Sequence, residues 1–217
     1  MKKRTRESIV VLSAHSDDFV IGAGGSISKY VKDGHKVLAV VFSKGEKSHP
    51  WLKEDVVREF RTEETIDAAK VLGCEVLVFD IKEGKFSEDY KRKKYKDNFL
   101  KILRKQKPTK IFTHSNEDPH PDHRAVHKIT LELLRKMEFK PELYIYSIWN
   151  PVSFKTRYPI LYVDISKHFK KKLQSLRKFP SQKYNAIYPL MTLIWFRALR
   201  DGFKIKKKFA ESFYRIK

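Results

Sequence analysis

His15, Asp17 and Asp18 lie within four residues of one another, and His120, Asp122 and His123 form a second such cluster in the other half of the chain. Imidazoles and carboxylates are metal ligands, and they also move protons near neutral pH. Each cluster follows an apolar run that reads as a strand: Ile9-Val10-Val11-Leu12 before the first, Ile111-Phe112-Thr113-His114 before the second. In an open α/β sheet, ligands bind outside the carboxyl ends of the strands. Two histidines and a carboxylate meeting there suit a hydrolytic zinc site, with three protein ligands and a fourth position for water.

His15 and Asp18 are three residues apart and point the same way if the turn between them is helical. Asp17 then points elsewhere and is free to act as a base on the water. If His123 is the third ligand, His120 is placed to approach a substrate carbonyl, where an imidazolium would stabilise the oxyanion. Asp122 would then orient the His120 ring and raise its pKa. A rival reading pairs His123 with His127 on one helical face, but the glutamate that follows the first histidine in two-histidine metalloprotease helices is missing.

These clusters need a scaffold, and the hydrophobic pattern predicts one. Strands are expected at 7–13, 36–43, 75–79, 110–113, 143–149 and 160–164. Helices are expected at about 24–33, 55–72, 96–106, 124–137, 166–178 and 184–200. Strands alternating with helices imply βαβ units, hence an α/β fold with a mostly parallel sheet. No repeat or linker divides the chain, so residues 1–217 are read as a single domain. Gly22-Ala23-Gly24-Gly25 tempts a dinucleotide-binding reading, but the third glycine of that pattern falls on Ile27. These glycines are instead expected to let backbone pass close to the metal site or its substrate.

The formal charge is +21, from 47 Lys and Arg against 26 Asp and Glu. Such a balance attracts nucleic acid, acidic lipid headgroups or phosphorylated substrates, so peripheral attraction to anionic surfaces is expected. The basic residues read as short runs dispersed along a solvated surface, and with no recognised motif no specific nucleic-acid partner is expected. The lone Cys74 excludes an internal disulfide and sits in an apolar setting, consistent with a buried hydrophobe and a cytoplasmic protein. The basic start, Met1 to Arg6, is followed by too short an apolar stretch for a signal peptide and reads as a mature N-terminus.

Ala14-His15-Ser16-Asp17-Asp18-Phe19 with Gly24-Gly25 resembles the A-H-P-D-D-E…G-G signature of the PIG-L/LmbE family of zinc-dependent N-acetylglucosamine de-N-acetylases. Asp118-Pro119-His120-Pro121-Asp122-His123 is similar to that family's second motif. Arg61-Thr62-Glu63-Glu64 with Ala68 and Leu72-Gly73 resembles its R-x-x-E helix. Ser181-Gln182, Gly202 and Ala210-Glu211-Ser212-Phe213 resemble its later elements. The resemblance implies a Rossmann-like three-layer fold with helices on both faces, and hydrolysis of the amide of an N-acetylated sugar or sugar conjugate. It implies one Zn2+ ion on His15, Asp18 and His123, with Asp17 as base, His120 as oxyanion-stabilising acid backed by Asp122, and Arg61 as a substrate contact. Ser16 replaces a proline and loosens the turn. Phe19 replaces a glutamate and removes a carboxylate beside the metal loop.

The alternative for Arg61, three residues from both Arg58 and Glu64, is a solvated charge paired along one helix face. Trp149, closing the fifth strand, could stack on a sugar ring at the rim or belong to the core. Trp195 reads as core or interface, and Trp51 as a lid residue. Two other functions remain open: a metal-dependent amidase acting on a different acyl group, and a basic nucleic-acid-binding module with a structural metal.

Overall fold

The computed structural model describes residues 6–48, 51–151 and 157–217. Seven strands form one sheet: β1 (Ser8–Ser13), β2 (Lys36–Val41), β3 (Glu75–Val78), β4 (Lys110–His114), β5 (Glu142–Tyr146), β6 (Ile160–Asp164) and β7 (Ala210–Arg215). Their order is β3-β2-β1-β4-β5-β7-β6. The first five in that order are mutually parallel, and β7 runs antiparallel between β5 and β6.

Side chains alternate across β1, and both faces are covered, which explains its nearly unbroken apolar sequence. Ile9 and Val11 point into a core shared with α1 (Asp18–Lys32), α2 (Glu54–Leu72), α6 (Phe169–Leu176) and α7 (Tyr188–Lys204). Val10 and Leu12 point into a second core with α3 (Phe86–Lys91), α4 (Lys93–Gln106) and α5 (Pro121–Arg135). The fold is therefore α/β with helices on both faces of a mostly parallel sheet, as expected. The strand order reverses between β1 and β4, so the crevice at their carboxyl ends is the switch point where such folds bind ligands. None of the described helices is long and apolar enough to cross a membrane.

Several boundaries differ from expectation. Helix α1 starts at Asp18, not near residue 24, and the glycines lie inside it. Their role is packing. A Cβ on Gly22 would sit 2.3 Å from the Tyr146 ring, and one on Gly25 would sit 2.7 Å from Ile165. Glu211 on β7 completes this contact. It accepts hydrogen bonds from Gly25 N (3.0 Å) and Ser26 N (2.7 Å) and pairs with Lys172 Nζ (2.7 Å), all buried. Strand β7 is absent from the expected elements, helix α3 lies in the stretch between 79 and 96 where no element is expected, and α5 begins three residues early with His123 in its first turn. A π-helical turn, Lys183–Ile187, shifts α7 towards the C-terminus. Phe19 is fully buried in the core, a setting in which an unpaired glutamate would be costly.

Candidate active site

The two clusters meet. His15 leaves β1, and Asp18 reaches back so that its Oδ2 accepts the His15 N–H at 2.8 Å, as a capping residue does at a helix start. His123, in the first turn of α5, faces both. His15 Nδ1, Asp18 Oδ2 and His123 Nε2 form a triangle with sides of 3.4, 3.4 and 3.3 Å. Ligands about 2.0–2.1 Å from a tetrahedral zinc stand about 3.3–3.4 Å apart, so these three donors fit one face of such an ion.

The partners of these donors strengthen the fit. His15 turns its Nε2 to Asp122 Oδ2 at 3.3 Å, and His123 turns its Nδ1 to Asp118 Oδ1 at 2.9 Å. A carboxylate behind each ring fixes the tautomer that leaves the inner nitrogen free to bind metal. Burial works against a charge on either ring, yet the carboxylates prevail. Asp122 and Asp18 raise His15 well above its ordinary value, and Asp18 and Asp118 raise His123 to about 9. Burial likewise opposes charge on Asp18, but His123 holds its carboxyl well below the usual range.

His114 closes the floor of the site. It also approaches Asp18 Oδ2, at 3.4 Å, but its Nε2 accepts the Ala14 N–H at 2.9 Å, so that lone pair is already engaged. Burial lowers its pKa to about 4, with His123 adding to the effect, and the ring serves as a neutral brace. His127, the rival ligand, is not part of this cluster. Its Nδ1 bonds the His114 carbonyl at 2.8 Å.

Asp118 is the hub that the sequence did not disclose. Besides facing His123, its Oδ1 accepts His120 N at 3.0 Å, and its Oδ2 accepts Ile148 N at 3.3 Å and Trp149 N at 3.1 Å. A bracket of aspartates around paired histidines was the available signal. The expected partnership of Asp122 with His120 is corrected by the structure. The Asp122 carboxylate serves His15 and Gly84 N, and only its backbone N–H reaches His120 Nδ1, at 3.2 Å. Burial, with His15 and His123, lowers His120 to about 4, which favours the neutral ring while the site holds no metal. With Nδ1 accepting, the remaining proton sits on Nε2.

A cavity of about 300 Å³ opens over the triangle, lined by Asp17, Arg61, His120, Trp149, Lys47 and Gln182 among others. Asp17 is buried, and burial together with Asp18 raises its carboxyl pKa, while Arg61 opposes the rise. Arg61 is 1% exposed, not a solvated helix charge. Its Nη1 donates to Ser181 Oγ at 3.4 Å, and Glu64 anchors Ser181 through Oγ (2.5 Å) and N (2.9 Å). Trp51 is exposed and does not line the cavity. Trp195 packs edge-on against Phe169 at 4.7 Å, with its outer side in solvent. Burial pushes the Cys74 thiol up to about 12, which leaves it inert.

The profile of the PIG-L family, described as GlcNAc-PI de-N-acetylase, matches residues 10–134, the segment that supplies all three donors and Asp118. The chain belongs to this family. Its PIG-L relatives are chemically diverse. A 4-oxalmesaconate hydratase from Pseudomonas putida is 28% identical over 201 residues, spanning 82% of this chain and 75% of that protein. A mycothiol S-conjugate amidase from Streptomyces coelicolor is 30% identical over 148 residues, 57% of this chain and 50% of its own length. The N,N'-diacetylchitobiose deacetylase of Pyrococcus horikoshii shares the fold, with a TM-score of 0.78 at 22% identity over 96% of this chain and 83% of that one.

Proposed function

We propose that the protein is a zinc-dependent hydrolase that removes the acetyl group from an N-acetylglucosamine-type sugar or sugar conjugate. The observation that carries this reading is the triangle of His15, Asp18 and His123 open to a cavity that Asp17 and His120 also line. When bound, zinc supplies acidification of water and polarisation of a carbonyl. Asp17, a carboxylate made more basic by burial, takes the proton of the attacking water. His120 offers its Nε2–H to the oxygen on which charge develops, as a neutral donor. The proton on Asp17 then passes to the departing amine. Arg61 orients the polar substrate and Trp149 provides a face for the sugar ring. A fully closed structural metal would leave no such opening. Within this reading the protein is cytoplasmic.

A second reading has its own support. The hydratase relative spans more of the chain than the amidase does, and the cations Lys47 and Arg61 line the cavity, suiting the carboxylates of an unsaturated acid. Both reactions add water to an electrophilic carbon, so the same base serves either. The test is metal analysis of the purified protein, with acetate release measured on free, oligomeric, nucleotide-linked and lipid-linked N-acetylglucosamine compounds. Metal-dependent, equimolar release of acetate and amine supports the deacetylase. No release from any of them, with hydration of unsaturated dicarboxylic acids instead, overturns it.

A further inference from the structure

Helix α7 has two apolar faces. Leu190, Ile194 and Ala198 pack into the core, as one stripe of a surface helix should. Yet Tyr188, Trp195, Phe196, Leu199 and Phe203 are exposed, Phe203 by 85%. At 100° per residue these five fall on one stripe about 100° wide, roughly opposite the buried face. The outer side of a helix in water is ordinarily polar, so this side is built to meet something else.

The charge around the stripe indicates what that is. Residues 165–209 hold thirteen Lys or Arg and a single acid, Asp201, so this fifth of the chain supplies more than half of the net +21; of the thirteen, Lys172 is buried against Glu211 and Lys207 reaches Asp164, and neither counts towards the open face. The basic residues are therefore not dispersed as their short runs suggest. Asp201 is buried and already engaged by Arg200 Nε at 2.8 Å and by Ser212 Oγ at 2.6 Å. The cations flank the aromatics directly. Lys183 Nζ lies 5.2 Å from the rings of both Tyr184 and Tyr188, and Arg200 lies 5.8 Å from Phe196.

We propose that this face docks the protein onto an anionic lipid bilayer. Aromatic and aliphatic side chains along one helix, fringed by Lys and Arg, bury their apolar parts at the headgroup boundary while the cations meet anionic lipids. A second copy of the chain is disfavoured by charge, because it would bring two strongly basic faces together. A straight apolar stripe suits a planar surface, whereas nucleic acid would leave Leu199 and Phe203 without an apolar partner. The inference stands independently of the proposed activity.

The test is sedimentation of the purified protein with phosphatidylcholine vesicles, with and without phosphatidylglycerol. Two variants accompany it. Phe196→Ala with Phe203→Ala removes exposed rings at little cost to folding, and Lys206→Glu, Lys207→Glu and Lys208→Glu reverses charge. Circular dichroism verifies the fold of each. The expected result is binding to anionic vesicles alone, weakened by salt and lowered about tenfold or more in each variant, with a blue shift of Trp195 emission on binding. Failure to bind anionic vesicles overturns the proposal, as does binding undiminished by loss of the two phenylalanines. Self-association, or capture of RNA in place of vesicles, that the same phenylalanine substitutions abolish would assign the face to another partner and overturn it equally.

Discussion

Asp118→Asn tests whether the buried hub, rather than the three donors alone, makes the metal site. The two oxygens of Asp118 serve four groups: His123 Nδ1 and His120 N on Oδ1, Trp149 N and Ile148 N on Oδ2. An asparagine keeps one oxygen, so whichever way it turns, two buried donors face its amino group. Leaving a buried donor unpaired costs about 1–3 kcal/mol, so the variant should lose about 2–6 kcal/mol of stability. Loss of the carboxylate behind a ligating histidine should also weaken zinc affinity about 10- to 100-fold. Denaturant unfolding of the metal-free protein measures the first quantity, and competition with a chromogenic chelator measures the second. The pH dependence gives an independent sign. Burial opposes charge on Asp118, but His123 and backbone N–H groups hold its pKa below the ordinary value. Its contribution is therefore fully present above the usual carboxylate pKa and is lost as pH falls through the lowered one. The variant should lack that acidic limb. Wild-type stability and zinc affinity in Asp118→Asn would refute the hub.

Replacing His15, Asp18 or His123 by Ala should abolish stoichiometric zinc binding as well as turnover, measured by metal analysis, whereas His127→Ala should retain the metal. Zinc binding at neutral pH should release about two protons, because His15 and His123 both hold theirs with raised pKa values until metal displaces them. Calorimetry in buffers of different ionisation enthalpy reads this, affinity should fall as pH falls, and zero release would contradict the assigned donors. Asp17→Asn should bind zinc normally and lose about 10²- to 10⁴-fold in rate, the usual worth of a general base. His120→Ala should slow turnover with metal retained, whereas Asp122→Ala should also weaken zinc about 10- to 100-fold through His15, a difference that equilibrium dialysis resolves.

The parallel core of the fold is legible in the sequence because buried parallel strands are continuous apolar runs bounded by glycine and helical periodicity. The start of α1 is not. Gly22, Gly24 and Gly25 argue against a helix by propensity, but the close approach of Tyr146 and Ile165 requires glycine there and outweighs that cost. Strand β7, with the mixed sequence Ala210 to Arg215, gains its identity from a distant neighbour and carries little local signal. In the site, ligand types and their chain positions are readable, while partnerships between neighbours are not. Asp122 stands two residues from His120, but at a helix start such residues point apart, and its carboxylate turns to His15. His114 reads as the end of a strand, and Arg61 as a helix charge, because burial is a property of the assembled fold.

The attachment of β7 to α1 ties the site to the far end of the chain. Asp17 and Asp18 open a helix whose Gly25 N–H is held by Glu211, 186 residues away in sequence. The orientation of the helix that carries Asp17 and Asp18 therefore depends on a strand from the far end of the chain, held between β5 and β6. Loss of the Glu211 carboxylate should therefore disturb the metal site without touching any of its ligands.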